Sequence, residues 1–388
     1  MKRRDFLKTA TSAATFIIIP STVLKSSSAG NYKADLFVYI GAYTTRGAEG
    51  IYICRYNQVT GKLSIEGIEK GVVNPSFLAI DPVRMILFAA NEVSEFNGKK
   101  GGGVSAFRID KQSGMLSFIN GESSGGAGPC NVTVNKDGTF VMVGNYSAGS
   151  LAVLPVMSDG RLGPIAELIQ HTGSGIVPKR QAGPHVHCVV LDKANKHLLV
   201  TDLGIDRIMV YPFTGGKTGI TKLGAHEMPT KPGAGPRHLA FSPDAKFLYA
   251  INELNSTITA YKYDGTQGSL NEIQTIGTLP QDYSGANSCA DIHVHPSGKF
   301  LYGSNRGHDT IAVYSRDKKT GMLKLIELVS TRGKNPRNFA IDPAGNFLLV
   351  ANQDSKNIVT YRIDNKTGRL SPTGDSIEIP APVCVRFV

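Results

Sequence analysis

Apolar residues occur along most of the chain in short runs rich in Val, Ile, Leu, Phe and Tyr, broken by turns built on Gly, Pro, Asn and Asp. Runs of that kind predict β-strands and exclude a solenoid of helix pairs. They also recur in a fixed order. A Pro-bearing turn leads into an apolar run that closes near Asp-Pro or Ser-Pro. A Gly-Lys-Phe-Leu-like restart follows, then a second strand, an Asn-containing turn, a strand ending in Tyr or Phe, and a Thr-Gly-x-Leu hairpin turn. The clearest copies are NPRNFAIDPAGNFLLVANQDSKNIVTYRIDNKTGRLS from Asn335 and GPRHLAFSPDAKFLYAINELNSTITAYKYDGTQGSLN from Gly235; others begin at Asn74, Gly128, Gly183 and near Cys289.

These starts lie roughly 50 residues apart, the period of propeller blades with four strands each. The opening DLFVYIGAYT matches the second strand of a unit, and the closing PAPVCVRFV matches a first strand. The pattern therefore predicts an all-β, seven-bladed β-propeller of four-stranded blades, a single domain over residues 35–388. Its C-terminal strand closes the ring and removes two exposed sheet edges.

Composition changes this picture little. With 41% apolar and 19% charged residues, the 388-residue chain reads as an ordinary folded protein. No stretch of its body is long and apolar enough to span a bilayer. Residues 1–29 differ: a basic start, an apolar segment from Ala13 to Ile19 and the small residues Ser27-Ser28-Ala29 predict an export signal peptide. Arg3-Arg4 followed by Asp5-Phe6-Leu7-Lys8 resembles a twin-arginine signal, which implies the twin-arginine export machinery as a partner and a periplasmic or secreted location in a bacterium. The formal charge is +11, and removing this segment, with five Lys/Arg and one Asp, leaves about +7 spread along the chain. No dense basic run with interleaved aromatics is present, so nucleic acid is not an expected partner. Five scattered cysteines, Cys54, Cys130, Cys188, Cys289 and Cys384, include no close pair and read as buried free thiols.

The first two strands of a blade are antiparallel, so the start of the first and the end of the second share one face of the disc. In six repeats these points are a fixed 15 residues apart: Ser76 and Asn91, Cys130 and Asn145, His187 and Asp202, Arg237 and Asn252, Ala290 and Asn305, Arg337 and Asn352. The Asn or Asp has a structural explanation in its turn chemistry. The residue after it varies without any turn requirement: Glu92, Tyr146, Leu203, Glu253, Arg306, Gln353. The register thus gathers His185, His187, Arg237, His238, Glu253, Asp291, His293, Arg306 and Arg337 on one rim of the channel. It puts His187 at the position held by Arg elsewhere and leaves His185 in the preceding turn. Arginines there suit a carboxylate or phosphate, and a carboxylate and histidines suit proton transfer. No set of His185, His187, Asp202, Glu253 and Asp291 has the spacing of a known metal site, and no cofactor is implied.

GPHVH, GPRHLAFSPD, INE, DIHVHPSGKFLYGSNRGHDTIAVY and NPRNFAIDPAGNFLLVANQ together resemble the seven-bladed β-propeller lactonase family, which includes bacterial 6-phosphogluconolactonase and fungal 3-carboxy-cis,cis-muconate lactonizing enzyme. The resemblance covers the chain after about Asp35. It implies a lactone hydrolase acting on a small anionic sugar-acid lactone at one mouth of the channel. It also implies catalytic roles for Glu253, Arg237, Arg306 and a histidine of the PHVH segment, His187 in preference to His185; of the rim residues that the register gathers, His185, His238, Asp291 and Arg337 are expected to bind substrate. Arg237 and Arg306 would hold the anion and the oxyanion while Glu253 or His187 activates water. No Ser nucleophile motif is present, so no covalent acyl-enzyme is expected. The export signal sets the chain apart from cytoplasmic family members and points away from a phosphorylated substrate, to an unphosphorylated aldonolactone or another periplasmic lactone. Two other readings are a non-catalytic ligand-binding propeller and a lactonizing cycloisomerase acting on a muconate-like acid.

Overall fold

The computed structural model describes residues 35–388; the expected export signal over residues 1–29 lies outside the described residues. Seven four-stranded antiparallel sheets form the blades. In six of them the strands follow chain order, from an innermost strand such as Pro236–Phe241 in blade five to an outermost one such as Ser269–Gly277. Blade one is completed from the other end of the chain: Pro382–Phe387 pairs antiparallel with Leu36–Ala42 and supplies its innermost strand. Blade two carries an extra two-stranded hairpin, Glu95–Phe96 with Lys99–Lys100, that the repeat did not announce.

The core lies between blades. Seven apolar clusters occur among the described residues, each shared by neighbouring sheets. Between blades five and six, for example, Phe247, Tyr249 and Ile251 meet Leu301, Ala312 and Tyr314. Every residue of the second strand Phe247–Asn252 is buried. Burial on both faces is why these strands read as continuous apolar runs without alternation. Each large side chain buried there stabilises by roughly 1.5–3 kcal/mol.

The repeated motifs are the two halves of one blade-to-blade contact. The turn glycines Gly61, Gly114, Gly321 and Gly368 all have positive φ, between 72° and 82°. Each lies beneath a Phe ring of the preceding blade, so that a Cβ on Gly321 would come within 2.2 Å of Phe247. Two residues after that Phe, the Tyr249 hydroxyl donates to the Gly321 carbonyl at 2.8 Å, and Tyr302 does the same to Gly368 at 2.9 Å. All five cysteines are buried free thiols, as expected.

The Asn residues that close the second strands clasp the linker entering their own blade. Asn91, Asn145, Asn305 and Asn352 each donate from Nδ2 to a linker carbonyl, those of Val73, Ser124, Thr278 and Thr331. Their role is structural, as the turn argument anticipates.

Candidate active site at the channel mouth

The fixed 15-residue spacing has a structural cause. Where each innermost strand begins, its pairing with the second strand shifts, leaving an unpaired bulge residue: Ser76, Cys130, His187, Arg237 and Arg337 in five blades, Val383 in blade one, and Ala290 with Asp291 in blade six. A bulge re-aims the side chain it carries. The residue after the second-strand Asn forms a second ring, completed in blade one by Tyr43. Between these rings lies a cavity of about 170 Å³ lined by Glu92, Cys130, Tyr146, Arg180, His187, Glu253, Arg306 and Arg337.

Glu253 is its electrostatic centre. One carboxylate oxygen accepts from Arg180, and the other accepts from Arg237 Nε at 2.9 Å and Arg306 Nη2 at 2.7 Å. Burial alone would raise its pKa, but Arg306, Arg237 and Arg180 outweigh it and hold the carboxyl down to about 2. Arg237 sits behind the cavity, its side chain only 2% exposed, and also donates to the Ala290 carbonyl at 2.6 Å and to His238 Nε2 at 3.2 Å. Arg306 is fixed by the Cys289 carbonyl at 2.9 Å, and burial lowers its pKa to about 10, which leaves it a cation at neutral pH.

Arg337 stands apart. Its guanidinium lies over the Tyr43 ring at 5.7 Å, and among the described residues it has no hydrogen-bonded acceptor. Burial opposes its charge, but Tyr43, Glu92 and Glu253 outweigh that and keep it cationic. His187 is buried between Tyr146 and His238, at ring distances of 5.5 and 5.2 Å, and its Nδ1 has no partner. Burial, then Arg237, His238 and Arg337, push its pKa well below the usual histidine value, so the ring is neutral. Glu92 accepts the Tyr43 hydroxyl on Oε2 at 2.8 Å.

The rim that the register assembled thus divides into two levels. Glu253, His187, Arg306 and Arg337 line the mouth cavity, with Arg237 directly behind it. His238, Asp291 and His293 line the channel further along the innermost strands, together with Arg386 and Phe77. There Asp291 accepts His238 Nδ1 at 2.7 Å and His293 Nε2 at 3.0 Å, which fixes His238 as the tautomer that accepts from Arg237. The bulge explains the split: adjacent residues Arg237 and His238 point to different levels. His185 lies before the strand, stacked on Tyr146 at 4.4 Å and outside the cavity. Among the described residues, no group of three or more His, Cys, Asp and Glu side chains is arranged to hold a metal ion.

Arg180, Glu92, Tyr146 and Tyr43 were not among the site residues the sequence suggested. Arg180 has a readable signal. It sits on the long linker from His171 to His185, where blade four carries Asp202 in place of the usual Asn. Asp202 clasps both ends of that linker, accepting His171 Nδ1 at 2.7 Å and the His185 backbone N–H at 2.7 Å. Long ordered linkers of this kind commonly carry function.

Comparison with known proteins agrees with this architecture. The family model described as "Lactonase, 7-bladed beta-propeller" matches residues 37–387. The 6-phosphogluconolactonase of Bacillus subtilis is 37% identical over 351 residues, covering 90% of this chain and 97% of its own. The 6-phosphogluconolactonase of Formosa agariphila is 37% identical over 309 residues, covering 79% and 86%. Among solved structures, the Pseudomonas aeruginosa periplasmic gluconolactonase superposes with a TM-score of 0.85 at 33% identity, over 92% of this chain and 99% of that one.

Proposed function

The chain belongs to the seven-bladed β-propeller lactonase family and is a lactone hydrolase, and from that premise we propose that it opens a sugar-acid lactone in the mouth cavity. The observation that carries this reading is Arg337, a guanidinium without an acceptor among the described residues that lines the mouth cavity. A half-buried cation left with free donors is suited to an oxygen that gains charge during reaction, as a lactone carbonyl does when water attacks it. Arg180 and Arg306, tied to Glu253, keep donors at the cavity wall for the substrate's anionic or hydroxyl groups.

These roles differ from those the resemblance implies. With its pKa near 2 and three cations on its oxygens, Glu253 is a weak base and serves to organise the arginines. Arg237 acts from behind as a positioning residue, held by Glu253 and by the His238–Asp291 pair. His185 supports Tyr146. His238 and Asp291 support Arg237 without contacting substrate.

The twin-arginine-like start and the similarity to a periplasmic gluconolactonase support a periplasmic location. Among the described residues, no helix is long and apolar enough to cross a membrane. A periplasmic setting favours an unphosphorylated aldonolactone over the phosphorylated one named for the Bacillus relative. Assaying the exported form against gluconolactone and 6-phosphogluconolactone tests this. Hydrolysis of the first is expected; activity on the second alone would overturn the substrate assignment, and activity on neither would overturn the reading.

A further inference from the structure

The proposed reaction needs a group to take a proton from water, and Glu253 and His187 are both poorly suited to it. Glu253 is consumed by three guanidiniums. His187 is surrounded by Arg237, His238 and Arg337, all of which disfavour a charged imidazolium. The cavity holds a second carboxylate in a different environment. Glu92 follows the second strand of blade two, Ile86–Asn91, as Glu253 follows that of blade five. The two therefore approach the cavity from well-separated blades of the ring.

Glu92 has a single side-chain hydrogen bond among the described residues, from the Tyr43 hydroxyl to Oε2. That bond fixes the carboxylate, and the backbone beneath it is held as well: Glu92 N–H donates to the Asn74 carbonyl at 3.0 Å, and Asn74 Nδ2 donates to the Glu92 carbonyl at 3.2 Å. Among the described residues, Oε1 receives no hydrogen bond. Tyr43 is also the ring beneath the Arg337 guanidinium, so one aromatic side chain ties the unpaired cation to the unpaired carboxylate oxygen. A carboxylate with one oxygen anchored and the other open, beside a cation with free donors, has the parts of a base and an oxyanion site.

We propose that Glu92 is the general base that activates water for lactone opening, oriented by Tyr43, and that Arg337 receives the oxyanion. This rests on the lactonase reading above. Oε1 takes one proton from water as the oxygen of the resulting hydroxide bonds to the lactone carbonyl carbon, and the carbonyl oxygen becomes the anion held by Arg337. When the C=O reforms, the ring C–O bond breaks, and the proton on Glu92 passes to the departing ring oxygen. The product is a hydroxy acid that releases its carboxyl proton to solvent, and Glu92 is returned ionised.

Steady-state hydrolysis of a lactone that the wild type turns over, corrected for the uncatalysed rate, tests this with Glu92→Gln and Glu92→Ala. The expected result is a fall in kcat of about 10²–10⁴-fold with KM changed less than about threefold. Added formate should restore part of the rate in Glu92→Ala and none in Glu92→Gln, where the amide still fills the space. Thermal melting checks that both variants fold, and Tyr43→Phe supplies a milder variant in which kcat should fall while KM holds. Wild-type kcat in Glu92→Gln, or a rise in KM alone, would overturn the base role while leaving the lactonase reading intact. A wild type inactive on every lactone would instead overturn that reading and this proposal with it.

Discussion

At the scale of single residues, the site is governed by which charges are already satisfied. Glu253 is 5% exposed and bound by three guanidiniums, so removing its charge would leave buried cations uncompensated. Its folded pKa of about 2 lies below the ordinary value of 4.5. A depressed carboxylate stabilises the folded state fully above the unfolded value, and the contribution disappears as pH falls from about 4.5 to about 2. That gap corresponds to roughly 3 kcal/mol at neutral pH. Glu253→Gln should therefore be less stable than wild type in urea at about pH 7, with the difference shrinking toward about pH 3. A difference independent of pH would contradict the account. The register exposed Glu253, His187, Arg306 and Arg337 because a fixed spacing between paired strands is written in the sequence. Arg180 fell outside that register because it sits on a linker; its signal is the linker's length and the Asp202 that clasps it.

At the scale of elements, the repeat was legible because it encodes contacts as well as strands. The Gly-Lys-Phe-Leu restart and the Thr-Gly turn are partners across a blade boundary, through Phe247 and Tyr249 against Gly321. Gly321→Ala should destabilise by about 1–3 kcal/mol, since Ala resists positive φ and its methyl would meet the Phe247 ring. Gly277→Ala is the control: φ there is not positive and a Cβ would have no neighbour within 4 Å. Equal denaturation midpoints for the two variants would refute this contact as the reason for the conserved turn pattern within the chain. What the repeat could not convey was depth. A bulge at each inner-strand start sends Arg237 toward the mouth and His238 into the channel, and no periodicity of two or 3.6 marks such a break.

For the whole molecule, closure by Pro382–Phe387 leaves a ring without a free inner edge, and all seven blades contribute to the two circles of residues at the mouth. Blades two to seven each supply at least one cavity-lining side chain, and the linker into blade four also supplies Arg180. The candidate site is thus a property of the assembled ring, which is why a count of blades and a register placed His187, Glu253, Arg306 and Arg337 on one rim from sequence. The direct test of its location compares kcat/KM for lactone hydrolysis in Arg337→Met with that in His293→Ala, whose side chain lines the channel beyond the mouth and, among the described residues, touches no mouth-cavity residue. A loss of about 100-fold or more in Arg337→Met, with His293→Ala within about threefold of wild type, is the predicted result. Wild-type turnover by Arg337→Met, or the larger loss in His293→Ala, would contradict the placement of the reaction at the mouth.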